Sequence, residues 1–209
     1  MHAKKKLVGN HRPLKPNFTP LSTAALEGGG VSAADLVGRK FNTLPFTGKW
    51  LRIIGRPTPP FKIMFYGLPG SGKSSLSLQF ANYLATSLHQ RVLYVASEEG
   101  LNYTMQEKLQ RFKVTSPNIM IVDKLPANLS FYDVVFIDSV NHSGLDAVQL
   151  RALDQTKSYV YVFQSTKDGK FRGSNDYLHD VDVCIKVHEM MAQPEKNRFG
   201  ATGKARVID

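Results

Sequence analysis

Eight consecutive residues, Gly67-Leu68-Pro69-Gly70-Ser71-Gly72-Lys73-Ser74, have the G-x-x-x-x-G-K-S spacing of a phosphate-binding loop. Glycine at the first, fourth and sixth places lets backbone N–H groups turn inward around phosphate oxygens, and the N-terminus of the helix expected to follow adds a favourable dipole. With Ser75 included, residues Gly67 to Ser75 form the expected nucleotide-binding set. Lys73 is expected to reach the β- and γ-phosphates and Ser74 to ligate Mg²⁺, so ATP and Mg²⁺ are the expected cofactors. A second carrier of chemistry is Asp133-Val134-Val135-Phe136-Ile137-Asp138, an apolar strand ending in Asp and so of Walker B form. Asp138 joins Ser74 as an expected metal residue. The third is Glu98-Glu99, at the end of the next strand after the loop helix. Paired carboxylates there suit orienting and deprotonating an attacking water, or equally an acidic turn that caps the next helix.

The elements that must position these residues are read from hydrophobic spacing. Phe61 to Tyr66 is a buried strand, and Leu76, Phe80, Tyr83, Leu84 and Leu88 recur at helical intervals from Gly72 to Leu88. Strands are predicted at 91–96, 119–122, 133–138, 159–164, 182–187 and 205–208, and helices at 102–112 and 145–154. Alternation of the two implies an α/β fold: a mainly parallel, twisted sheet flanked by helices. Residues 1–36 read as a basic, poorly ordered arm, 37–60 as an N-terminal cover segment, and 61–209 as the catalytic core.

From about Lys62 to Val207 the chain resembles the RecA-like ATPases, and among them the core of bacterial RadA and KaiC-type proteins. The resemblance rests on the loop, on Glu98-Glu99, on Ile137-Asp138-Ser139-Val140, on Phe163-Gln164-Ser165-Thr166-Lys167-Asp168-Gly169 and on Lys196-Asn197-Arg198-Phe199-Gly200, which reads as a KNRFG signature. It implies that Glu98 is the catalytic base and that Gln164 senses the γ-phosphate. It further implies that Lys196 and Arg198 reach the nucleotide of a neighbouring subunit, in a ring or filament with ATP between subunits. RadA proteins also carry a Cys₄ zinc element and a protease-like domain. Here there is one Cys, and nine residues follow Gly200, so the expectation is a minimal core resembling phage or mobile-element recombinases. The family's strand-binding loops match 141–146 and 167–175. In the second, Lys167, Lys170, Phe171 and Arg172 combine charge with a stacking ring, as sequence-tolerant binding of single-stranded DNA requires.

Composition agrees with these expectations and narrows them. The 209 residues carry a net charge of +10, which favours a polyanionic partner. No apolar run approaches the roughly 20 residues of a membrane span. After Lys4 to Lys6 the polar stretch from Gly9 to Lys15 stands where a secretory segment would be apolar, so a cytoplasmic protein with no membrane role is expected. Cys184 is the only cysteine, which excludes an internal disulfide and points to core packing. His89, His142, His179 and His188 lack metal-ligand spacing, and Glu107 with Lys108 reads as a solvated helix face. A GTPase lacks support, because Thr166-Lys167-Asp168 misses the spacer of a base-recognition element. Three functions remain: an ATPase acting on DNA in recombination, repair or replication, a KaiC-like ATPase switching a protein partner, and a non-hydrolysing ATP-dependent assembly factor.

Overall fold

The computed structural model describes residues 30–165 and 175–208, except the side chains of Asn175 and Asp176. The arm up to residue 29 and the basic stretch Lys167, Lys170, Phe171 and Arg172 therefore lie outside the described residues. Two units divide at Phe41. In the first, helix α1 (Ala33–Gly38) starts at Ser32, whose hydroxyl accepts from the Asp35 N–H at 3.1 Å and caps the first turn.

The second unit, Asn42–Asp209, holds α2 (Gly48–Ile53), β1 (Lys62–Gly67), α3 (Lys73–Ser87), β2 (Val92–Val95), α4 (Tyr103–Arg111), β3 (Ile119–Val122) and β4 (Val134–Asp138). After these come α5 (Val140–Ser143), α6 (Ala147–Ala152), β5 (Ser158–Gln164), α7 (Asn175–Asp180), β6 (Val183–His188), β7 (Met191–Asn197) and β8 (Ala205–Arg206). The strands form one sheet in the order β3-β2-β4-β5-β1-β6-β7-β8. The first six in this order run parallel, and β7 and β8 add an antiparallel edge. This is an α/β fold with a mainly parallel sheet flanked by helices, as the alternation of elements predicts.

Strands buried on both faces need near-continuous apolar runs, and β2, β4 from Val134 to Ile137 and β5 from Tyr159 to Phe163 supply them. Alternate residues serve opposite faces. Ile63, Phe65, Tyr94, Phe136 and Val162 pack under α2, α3 and α4 with Trp50, Phe80 and Met105. Met64, Val135, Ile137, Tyr161 and Cys184 pack under α5, α6 and α7 with Val140, Leu150 and Tyr177. Burial in this second layer pushes the Cys184 thiol up to about 12, which makes it an inert core residue. On the first face the Trp50 ring lies 4.7 Å from Phe80 and the Thr47 N–H donates to the Tyr83 hydroxyl at 2.9 Å. These contacts fix α2 on α3, the helix whose N-terminus faces the phosphate loop.

Strand β7 is absent from the sequence reading. Only Ala192 of its seven residues is buried, and Pro194 interrupts the pattern. A half-exposed strand near a sheet edge gives little periodic signal, and its pairing with β6 shifts register between Cys184 and Ile185. Among the described residues no helix is long and apolar enough to cross a membrane.

Candidate active site

Register brings the predicted residues to one edge of the sheet. Gly67 stands opposite Gln164 in the β1–β5 pair, and Asp138 opposite Val162 in the β4–β5 pair. The carboxyl ends of β1, β2, β4 and β5 therefore open together, where open α/β sheets bind ligands. There a cleft of about 380 Å³ is lined by Gly70, Gly72, Lys73, Ser74, Glu98, Glu99, Asp138 and Gln164, together with residues of α4, Met190 and Ile208.

The loop glycines answer to specific neighbours. A Cβ on Gly67 would fall 2.1 Å from the Val187 carbonyl oxygen of β6, so no larger residue fits that wall. Gly72 has φ +99 and lies against Met190 Sδ. Met190 belongs to the two-residue turn Glu189-Met190 between β6 and β7, and both residues have positive φ (47 and 58). Such a backbone is unusual for Glu and Met, and here it brings Met190 into the cleft wall.

Lys73 is 8% exposed, and its Nζ donates to the Leu68 carbonyl at 2.8 Å. Burial lowers its pKa, against the opposing pull of Asp138 and Glu98. Asp138 is itself buried, which raises its pKa, while hydrogen bonds from Tyr94 and Ser74 hold the carboxylate form in place. The Tyr94 hydroxyl donates to Asp138 Oδ2 at 2.6 Å. Gln164 Nε2 donates to Glu98 Oε1 at 3.0 Å, and His142 Nδ1 lies 3.4 Å from Glu98 Oε2 and 2.8 Å from the Ser139 hydroxyl. The Gln164 N–H donates to Asn141 Oδ1 at 2.9 Å, so the segment after Asp138 touches both Glu98 and Gln164.

The donor set fits a magnesium nucleotide. The loop lies at the head of the 15-residue helix α3, and Ser71 keeps a buried hydroxyl oxygen with no partner among the described residues. Ser74 and Asp138 offer hard oxygen ligands. Among the described residues no group of three or more His, Cys, Asp or Glu is arranged to hold an ion. Mg²⁺ needs none, because it keeps several waters and binds through one or two carboxylates plus substrate phosphates.

Lys196 and Arg198 lie outside the cleft of their own chain. Lys196 Nζ donates to the Leu178 carbonyl at 2.5 Å, and Arg198 pairs with Asp182 at 3.0 Å. Lys108 requires a correction, since it does not lie on a solvated face. It lines the cleft from α4 and pairs with Glu99. The sequence signal was there: Met105, Lys108 and Arg111 recur every three residues, which puts a basic pair on the side of α4 that buries Met105. Tyr94 was also missed, because a tyrosine inside an apolar strand reads as core.

Residues 60–169 match the AAA domain family. No curated protein matches the chain significantly. Among solved structures it is similar to the KaiC-like protein PH0186 from the hyperthermophilic archaeon Pyrococcus horikoshii OT3, with 14% identity and a TM-score of 0.58, over 76% of this chain and 90% of that one. At that identity the likeness shows the fold alone, which agrees with the RecA-like fold that the sequence resemblance implies. The family match covers the loop, the carboxylate pair, the Walker B strand and Gln164, more than half of the sequence, and the chain belongs to the AAA domain family.

Proposed function

We propose that this chain hydrolyses ATP with Glu98 as general base, and that turnover is coupled to single-stranded DNA. The observation that carries the first half is the Gln164–Glu98 hydrogen bond of 3.0 Å in the cleft that holds Lys73 and Asp138. Lys73 and the loop N–H groups bind the phosphates. Ser74 and Asp138 would hold Mg²⁺, which when bound would neutralise charge at the phosphate oxygens. Glu98 orients a water and takes its proton, with one carboxylate oxygen fixed by Gln164 and the other beside His142. Lys196 and Arg198 serve the cleft of a neighbouring copy, as an arginine finger does.

The DNA half rests on charge and on chain continuity. Net charge is +10, and Gln164 stands three residues before Lys167, where Lys167, Lys170, Phe171 and Arg172 begin. A strand gripped by that stretch acts directly on the residue that touches Glu98. The test is ATP hydrolysis by the purified full chain, with and without single-stranded DNA, at two salt concentrations. Stimulation that weakens with salt is expected. Glu98→Gln is expected to bind ATP normally and to lose about 100-fold or more in turnover. Equal turnover removes Glu98 from its role. Hydrolysis indifferent to DNA at both salts overturns the DNA half and leaves an ATPase that acts on a protein partner, the KaiC-like reading.

A further inference from the structure

Helix α4 brings a second set of cations to the cleft. Asn102 caps it, accepting from the Met105 N–H at 3.1 Å and donating to the Glu99 carbonyl at 2.6 Å, so the helix is fixed to the carboxylate turn that precedes it. Met105, Lys108 and Arg111 line the cleft at three-residue intervals, on one side of the helix. Lys108 Nζ donates to Glu99 Oε1, and the two side chains are only 25% and 24% exposed. A pair so enclosed is not a surface ion pair. Glu99 Oε2 is buried without any hydrogen-bond partner among the described residues, so this carboxylate is only half satisfied. Lys108 has three N–H donors and uses one on Glu99, and Arg111 has no ion-pair partner among the described residues.

We infer that Lys108 is a second phosphate-binding lysine, which Glu99 holds in reserve until a nucleoside triphosphate enters. The inference rests on the proposed nucleotide site and deepens it. The two adjacent carboxylates then divide the work. Glu98 acts on the water, and Glu99 parks the lysine. When a triphosphate binds, Lys108 exchanges the Glu99 oxygen for a terminal phosphate oxygen, and a cation–carboxylate pair becomes a cation–phosphate pair of equal charge sense. No bond is made or broken. Lys108 is assigned to the terminal phosphate because its partner Glu99 adjoins Glu98, the residue that serves the water attacking that phosphate. With Lys73 on one helix and Lys108 on another, the site distinguishes triphosphate from diphosphate within a single chain.

Equilibrium titration of the full chain with ATP and with ADP, each with Mg²⁺, tests this. Lys108→Met is expected to weaken ATP by about tenfold, the worth of one charge-assisted contact, while ADP changes by less than about threefold. Lys108→Arg is expected to restore most of the ATP affinity. Glu99→Gln removes the competitor for Lys108 and is expected to tighten ATP by about two- to fivefold. Opposite signs for the Glu99 and Lys108 variants are the signature, because a pair that only braced the fold would weaken ATP and ADP alike in both. Equal losses for the two nucleotides, or an unchanged ATP affinity in Lys108→Met, overturn the inference while ATP binding by the wild type upholds the site. A wild type that binds neither nucleotide sinks the nucleotide site itself.

Discussion

At the residue scale, Tyr94 is the least expected member of the site. It is fully buried in β2, and its hydroxyl, together with that of Ser74, favours the charged form of Asp138 against the upward pull of burial. Burial of a carboxylate without donors favours its neutral form, which cannot hold a metal. Tyr94→Phe therefore leaves shape intact but removes a hydrogen bond to a charged group. It is expected to cost about 1.5–3 kcal/mol of stability, seen as a lower urea midpoint with an unchanged slope, and to push the Asp138 pKa further upward. A midpoint equal to wild type would show that Asp138 does not depend on the phenol. In the metal-free chain the direction follows from burial: the folded pKa lies above the unfolded one. The stability it lends is complete below the unfolded value and is lost as pH rises through the folded one.

At the element scale, the start of β4 is tied to the residue before β2. Asp133 accepts from the Arg91 N–H at 2.9 Å and from its guanidinium at 2.6 Å, and these bonds lower its pKa from the ordinary 3.8. The sign is opposite to that of Asp138. A lowered folded pKa gives stability that is present above the unfolded value and is lost as pH falls through the folded one. Asp133→Asn should lose less than about 1 kcal/mol at neutral pH, because the pair is solvent-screened. Chemical denaturation should show the gap from wild type shrinking as the pH falls below the ordinary carboxylate range, and a gap that holds constant would place the effect in packing rather than charge. Elements of this kind decide what could be read beforehand. Strands β1, β2, β4 and β5 were legible because double burial leaves uninterrupted apolar runs, and α3 because its core face repeats. Strand β7 was not, since its exposure and Pro194 erase the alternation. In the site, Gly67 to Ser75 and Asp138 declare themselves by spacing. Tyr94, Lys108 and Met190 do not, because each enters the cleft from an element whose local pattern has another explanation. Only the fold brings Met190 of the β6–β7 turn against Gly72 of the loop.

At the scale of the whole molecule, β1 sits between β5 and β6, so the strand that carries the phosphate loop is central. Its entry bonds reach 97 residues away, from the Phe61 N–H to the Ser158 hydroxyl, and 120 residues away, from the Lys62 N–H to Asp182. Closure over such separations must precede the pairings that reward it, so the order of assembly is constrained. Contacts of shorter separation are expected to mature earlier, among them that of the sole tryptophan, Trp50, with Phe80 thirty residues along. The Gly67–Val187 wall cannot exist until both flanks are in place. Refolding from urea should therefore show recovery of Trp50 fluorescence ahead of the capacity to bind a fluorescent ATP analogue, and simultaneous recovery would refute that order. On that order, refolding would pass through an interval in which the tryptophan end of the protein reads as native while the phosphate loop cannot yet hold a nucleotide.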